Sequence, residues 1–481
     1  MARGGALSLA RLMSGLVRIK ILALVIGATG VGVYSLLLQM YLTGVALTSM
    51  SLAVPIINLG RRHVVDREFN QAGSIAGTAF AVISLNWIAL LLVVALFGQS
   101  LLAHFGMADV RHDLVWPVLI AILFGALSGG FGEGLSFVSN RFDAYVRAGI
   151  MAAVADMVFV AGAAWIYGLR GAVFAMPIGP FLMLATYWLS LRRDAQAAQV
   201  LRNLAVRVAE LPRLFAYSGM MLGSVALTNL GLTFLRSRVL IEAGAAANGY
   251  LQVATSVSAY ILSFITTGFF GHLYAHAAAS GDTPEVRIEL DKTLRLGLLI
   301  SFCGCGTAAV LADFLIPLLY SGEFRPAAQL LTAYMPAELA FQFVTNITAY
   351  QLTVSLRRRY LALSQSYIGL LVISGLIFIP RAGALGYVGA HSVAAVTTLI
   401  AACTLARRSK QLSWGFLSLM MILMATLTAV CGILFYLRLR GYSGAILLPA
   451  LVPFAIGGCV LLRQFLLDRR LESRARDSAS D

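Results

Sequence analysis

Arg11, Ser14, Gly15 and Arg18 stand at i, i+3, i+4 and i+7, so a helix carries them as one polar stripe. The stripe runs through an apolar stretch, and Arg18 falls near the middle of a segment long enough to cross a bilayer. An arginine at that depth costs on the order of 2.5–3.5 kcal/mol on insertion scales. It is kept where it faces a polar cavity or a charged partner. Asn229, Thr233 and Arg236 make a second stripe of the same kind. Two readings of Arg18 and Arg236 stand side by side: anion binding in a shared cavity, or a structural ion pair. Guanidinium groups suit the first, because their fork matches two phosphate oxygens. Lys20 and Arg238 lie two residues further on, about 200° around the helix. They leave that face, so pairing with acids inside each bundle competes with a substrate contact.

The acids that could answer them are Glu133, Asp156, Asp313 and Glu338. Glu133 lies in Gly129-Gly130-Phe131-Gly132-Glu133-Gly134, and the other three fall inside apolar runs. Each is a candidate for ion coupling or for simple charge pairing. The glycines around Glu133 permit close helix contact or a hinge. His272 and His276 share a helix face but have no third ligand, so no metal site is expected. Cys303, Cys305, Cys403, Cys431 and Cys459 all sit in apolar runs and read as packing residues. The chain contains no G-x-x-x-x-G-K-[ST] run and no D-x-D sugar-nucleotide pattern. No catalytic residue and no cofactor are expected; the pattern is that of a transporter rather than an enzyme.

Positioning these charges requires a membrane protein. Of 481 residues 59% are apolar and 12% charged, with a mean hydropathy of +0.85. Soluble domains carry about 25% charged residues, enough to cover a water-facing shell, and this chain does not. The net charge of +15 belongs to loops on one side of a membrane and is no argument for nucleic acid. Nothing at Met1-Ala2-Arg3 resembles a cleaved signal peptide. Apolar runs give about fourteen transmembrane helices, from 8–27 to 443–466. Basic clusters at Arg61/Arg62/Arg67, Arg141/Arg147, Arg192/Arg193, Arg287/Lys292, Arg357/Arg358/Arg359 and Arg407/Arg408/Lys410 mark alternate turns as cytoplasmic. Opposite turns hold single arginines (Arg111, Arg170, Arg325, Arg381) or none. Both termini are then cytoplasmic, and the turn with Arg438 and Arg440 fits least well.

The chain also repeats itself. Arg18-x-Lys20-x-Leu22 returns as Arg236-x-Arg238-x-Leu240, and Arg141-Phe142 returns as Arg359-Tyr360. Gly168-x-x-Gly171-Ala172 returns as Gly386-x-x-Gly389-Ala390, at the same offset of 218 residues. Six spans separate equivalent positions, so the halves share one orientation. The expected fold is an all-α integral membrane protein of two pseudo-symmetric six-helix lobes, at 1–193 and 214–408. An amphipathic cytoplasmic linker over 194–213 joins them, with Val200, Leu204, Val208 and Leu211 on one face. An extra helix pair follows at 409–466, then a cytoplasmic tail at 467–481. Pro177 and Pro180 predict a kink in the sixth span.

Ser14-Gly15-Leu16-Val17-Arg18-Ile19-Lys20-Ile21-Leu22-Ala23, then Gly27-Ala28-Thr29-Gly30-Val31-Gly32 and the Gly168 and Gly386 turns, resemble polysaccharide repeat-unit flippases of the Wzx type. That group shares a superfamily (MOP) with the MATE drug exporters and the lipid II flippases. The resemblance covers about residues 1–408, and Gly27-Ala28-Thr29-Gly30 departs from the family's frequent Gly-Pro-x-Gly. It implies alternating access to a cavity between two lobes. The implied substrate is an undecaprenyl-diphosphate-linked oligosaccharide, moved from the cytoplasmic to the periplasmic leaflet of a bacterial inner membrane. Polysaccharide polymerase and co-polymerase proteins are the implied partners, beside membrane lipid. A lipid II flippase and a MATE-like ion-coupled exporter are the alternatives. The cationic first span suits an anionic substrate better than a cationic drug.

Overall fold

The computed structural model describes residues 2–107, 112–265, 273, 277, 281–354, 356–409, 411–442 and 444–458. His272, His276, Lys410, Arg111, Cys459 and the expected tail at 467–481 lie outside them. Within them the secondary structure is helical throughout: α1 Ala2–Ser49, α2 Ala53–Val65, α3 Phe69–His104, α4 Val115–Ala126, α5 Glu133–Val138, α6 Phe142–Ala155, α7 Ala161–Ala175, α8 Ile178–Arg192 and α9 Ala195–Arg202 come first. Then follow α10 Leu211–Ile265, α11 Pro284–Val310, α12 Ala312–Leu319, α13 Ala327–Thr353, α14 Arg357–Arg408 and α15 Trp414–Leu439. Seven helices among the described residues are long and apolar enough to cross a membrane.

The apparent excess of length resolves into hairpins. The 55 residues of α10 would run about 80 Å at 1.5 Å per residue, far beyond a hydrocarbon core of about 30 Å. Instead α1, α7, α10 and α14 each break at one glycine with positive φ: Gly27 (62°), Gly168 (60°), Gly244 (85°) and Gly383 (54°). Only glycine enters that conformation without strain from a Cβ. The chain doubles back at each break. Arg236 donates to Gln252 across 2.5 Å although 16 residues separate them. A Cβ on Gly171 would fall 1.9 Å from the Ala163 carbonyl, and one on Gly386 would fall 2.2 Å from that of Phe378, eight residues back in both cases. The sequence alignment of Gly168 with Gly386 is therefore corrected by one triplet: Gly168 corresponds to Gly383, and Gly171 to Gly386.

The chain forms two compact units, Met1–Gln252 and Val253–Asp481. In the first, the two repeats meet at a reciprocal crossing. A Cβ on Gly32 would lie 1.8 Å from the Ala245 carbonyl, and a Cβ on Gly249 would lie 2.1 Å from the Ala28 carbonyl. Gly32 matches Gly249 and Ala28 matches Ala245 at one offset, so each repeat presents the same patch to the other, as a local two-fold demands. Asn248 clamps the crossing by donating to the Gly32 carbonyl at 2.8 Å.

Residues 194–213 do not form one amphipathic helix. Asp194 caps α9 by accepting from the Ala197 amide at 2.9 Å, but α9 ends at Arg202. The chain then runs extended against Gly73 and Gly77 of α3, where Thr78 Oγ1 accepts from the Arg207 amide at 2.9 Å. Val206 and Val208 are exposed. The apolar stripe fails because small residues on α3 offer the backbone a groove and a hydrogen-bond partner that a helix could not use.

Candidate substrate cavity

In the first unit α1, α6, α8 and the π-helical turns Leu127–Gly132 and Asp156–Val160 border an open cavity of about 300 Å³. Arg11, Ser14, Gly15 and Arg18 line it, so the stripe read from sequence faces a polar space. Both π turns contribute to the wall, through Ser128 and Asp156. Such turns widen a helix locally and recur at functional sites. Arg18 Nη1 donates to Asp156 Oδ2 at 3.2 Å, with side chains 21% and 32% exposed. A second space of about 30 Å³, lined also by Tyr34, Leu38 and Tyr41, borders the same pair. Gly179 makes room for the carboxylate: a Cβ there would fall 2.1 Å from Asp156 Oδ1.

Arg11 is exposed and stands over the Tyr145 ring, 5.9 Å from its centroid. Its charge acts on Glu133, a half-buried carboxylate with no hydrogen-bond or ion-pair partner among the described residues. The glycines before and after Glu133 serve close contact: Gly130 meets Ile83 and Ser49, Gly132 the Tyr187 ring, and Gly134 Ile56. Among the residues that line the cavity two arginines, Arg11 and Arg18, face one acid, Asp156, and Glu133 stands outside the lining.

The second stripe goes elsewhere. Arg236 is buried and engaged with Gln252 Oε1, and it does not line the cavity of Arg18. Asn229 accepts from Gln39 at 3.2 Å, and Thr233 shares a 2.6 Å hydrogen bond with Thr43. Asn229 and Thr233 thus form a polar seam with the second arm of α1. Arg238 pairs with Glu242 one turn on, at 2.6 Å, and Lys20 is exposed.

In the second unit Asp313 is paired at 3.2 Å with Arg438, whose guanidinium also reaches Thr332 and the Ala309 and Val310 carbonyls. Arg438, the arginine that suited the topology least, is thus held by α11–α13. Glu338 accepts from His391 at 3.0 Å, a partner sequence reasoning missed because a single histidine in an apolar run carries no spacing signal. The cysteines are free among the described residues; Cys305, Cys403 and Cys431 are buried.

The repeated arginines Arg141 and Arg359 do repeated work. Arg141 donates to Asp194 at 2.9 Å and Arg359 donates to Ser409, each fastening the start of one helical hairpin arm to the residue beyond the repeat's last helix.

No family model and no curated protein matches the sequence. Solved structures do. A lipid II flippase, MurJ, in an inward closed conformation superposes with a TM-score of 0.76 at 13% identity, covering 97% of this chain and 99% of that one. An inward-facing multidrug resistance MATE family transporter of the MOP superfamily gives 0.69 at 13% identity, covering 85% and 98%. A MOP superfamily transporter from Pyrococcus furiosus, described by the reverse polarity of its binding pocket, gives 0.52 at 15%, covering 85% and 96%. The chain has the all-helical fold common to these flippases and transporters.

Proposed function

We propose that the protein is a flippase for undecaprenyl-diphosphate-linked oligosaccharide repeat units, carrying the head group from the cytoplasmic to the periplasmic leaflet by alternating access. The observation that carries this reading is the cationic cavity of about 300 Å³ among apolar helices, with Arg11 and Arg18 on its wall. A lipid tail can stay in the bilayer while a diphosphate crosses about 30 Å of hydrocarbon, and that crossing needs a sheltered, cationic path. Arg18 offers bidentate hydrogen bonds to phosphate oxygens once it exchanges Asp156 for substrate. Arg236 joins as the second lobe's cation when it leaves Gln252. In this reading the lobes are 1–193 and 214–408, both termini are cytoplasmic, the membrane is the bacterial inner membrane, and polymerase and co-polymerase proteins receive the product.

One observation favours a second reading, lipid II transport: the MurJ structure matches 97% of the chain. Lipid II is also a diphosphate-linked sugar, so the same cavity chemistry serves it. The test is protein reconstituted in liposomes with fluorescent undecaprenyl-diphosphate-oligosaccharide or fluorescent lipid II, read by quenching of the exposed leaflet. Faster exposure of the oligosaccharide lipid is expected. Preference for lipid II would replace the first reading by the second, and acceleration of neither would overturn both.

A further inference from the structure

The second unit contains a three-member polar chain that the cavity does not use. His391 on α14 is 1% exposed, in the interior of the helix bundle. Its Nε2 lies 3.0 Å from Glu338 Oε2 on α13, and its Nδ1 lies 2.8 Å from the Tyr367 hydroxyl on the other arm of α14. The Tyr334 hydroxyl also donates to Glu338. A carboxylate only accepts, so Nε2 carries a proton and Nδ1 accepts from Tyr367 in the neutral ring. We propose that Glu338, His391 and Tyr367 form a proton-binding site, with His391 Nδ1 as the atom that takes the proton.

The balance is simple. One proton enters from water and adds to Nδ1; the ring becomes an imidazolium paired with the Glu338 carboxylate; Tyr367 turns its hydroxyl from donor to acceptor. The surroundings favour that cation. Tyr334 stacks on the ring with centroids 4.6 Å apart and planes at 15°, and Phe341 and Tyr367 present further π systems at 5.6 and 6.0 Å. Aromatic faces attract a positive charge through their quadrupole. The other titratable groups turned toward the site are Tyr387 on α14, Cys305 on α11 and, beyond it, Cys431 on α15. Among the described residues no lysine or arginine bonds to Glu338 or His391, so the carboxylate is the charge that answers the imidazolium. Glu338, with 13% of its side chain exposed against 2% for His391, is the more accessible of the two. Pro336, two residues before it in α13, removes a backbone hydrogen bond and lets the helix bend beside the site. Buried acid–histidine chains in membrane helices are where transporters relay protons.

The use of this proton as a coupling ion rests on the transport reading above; its binding does not. The experiment therefore has two arms. In the first, histidine ring nitrogens of the full-length protein in nanodiscs are followed by 15N NMR across pH 5–8, with His391→Gln assigning the signal. The wild type is expected to pass from one protonated ring nitrogen to two on acidification. Glu338→Gln is expected to lose the doubly protonated form at the pH where the wild type shows it. Tyr367→Phe, which keeps the ring packed on Phe341 at 4.2 Å, is expected to fold and to alter the Nδ1 signal. A ring that keeps one proton throughout, or a Glu338→Gln signal identical to wild type, overturns the site. In the second arm, liposomes under an imposed pH gradient are expected to show gradient-accelerated lipid exposure that His391→Gln loses. A wild type that moves no lipid removes the transport reading alone, because the first arm still decides the site.

Discussion

Replacing Arg18 and Asp156 singly and together separates a phosphate clamp from a structural ion pair. Their charged atoms are 3.2 Å apart, and an effective dielectric of about 20 gives a gross attraction of about 5 kcal/mol. Desolvation offsets much of it. Breaking a fully buried pair from one side costs about 3–5 kcal/mol. With side chains 21% and 32% exposed, this pair should fall lower, at about 1–3 kcal/mol for Arg18→Ala or Asp156→Ala. The double variant should recover most of that, because neither charge is left without its partner. Stability is read as thermal unfolding of purified protein and as the folded amount in membranes. Delivery of lipid-linked sugar to the periplasm is measured in the same cells. Delivery should be lost in Arg18→Ala, reduced in part in Arg18→Lys, which keeps the charge without the fork, and still lost in the stabilised double variant. A double variant with normal level and normal delivery would refute the clamp, and the pair would then be structural.

Three further outcomes are expected. Gly32→Ala and Gly249→Ala should each cost about 1–3 kcal/mol of thermal stability through overpacking, because their Cβ atoms would land 1.8 and 2.1 Å from facing carbonyl oxygens; no loss in either, seen by calorimetry, would deny the reciprocal crossing. Burial pushes the Asp282 carboxyl up, but bonds from Arg287, Tyr350 and Gln411 more than offset this and hold it below the usual carboxylate range. Its contribution is therefore present above the unfolded value of about 3.9 and lost as pH falls through the lower folded value, so Asp282→Asn should flatten the acid limb of stability in melts from about pH 5 down to about pH 2. Glu133→Gln and Asp156→Asn should slow transport if either carries a coupling ion, and unchanged rates across pH would leave both as structural charges.

The stripe Arg11-Ser14-Gly15-Arg18 was legible because helical spacing and a cost of a few kcal/mol allow it few places to face. The hairpins were legible at Gly27 and Gly168, where sequence already broke two apolar runs. What sequence could not supply was partner choice. Arg18 finds Asp156 and Arg438 finds Asp313 across more than a hundred residues, and no local pattern encodes such distances. The 200–211 stripe failed for the same reason, since the groove along Gly73 and Gly77 belongs to another helix. His391 left no trace because its meaning lies in Glu338 and Tyr367, not in its neighbours along the chain.

The two repeats keep their backbone and change their chemistry. Gly27 and Gly244, Gly168 and Gly383, and Gly32 and Gly249 persist because a positive φ or a close carbonyl admits nothing larger. The charges are under no such constraint. Arg18 precedes its hairpin glycine by nine residues and Arg236 precedes its own by eight, and one residue turns a helical side chain by about 100°. That turn moves Arg236 off the face Arg18 occupies, toward Gln252. Counted back from the hairpin glycines Gly168 and Gly383, Asp156 corresponds to Leu371, so the second repeat also lacks the acid that Arg18 holds. Conversely, the second repeat's acid–histidine chain has no counterpart: Ile120 stands 218 residues before Glu338, and by the hairpin glycines His391 corresponds to Met176. Symmetry thus survives where folding requires it and is lost at Asp156, Glu338 and His391. On the two proposals above, anion binding falls to the cavity of one unit and proton binding to the acid–histidine chain of the other, a division of labour between two copies of one fold.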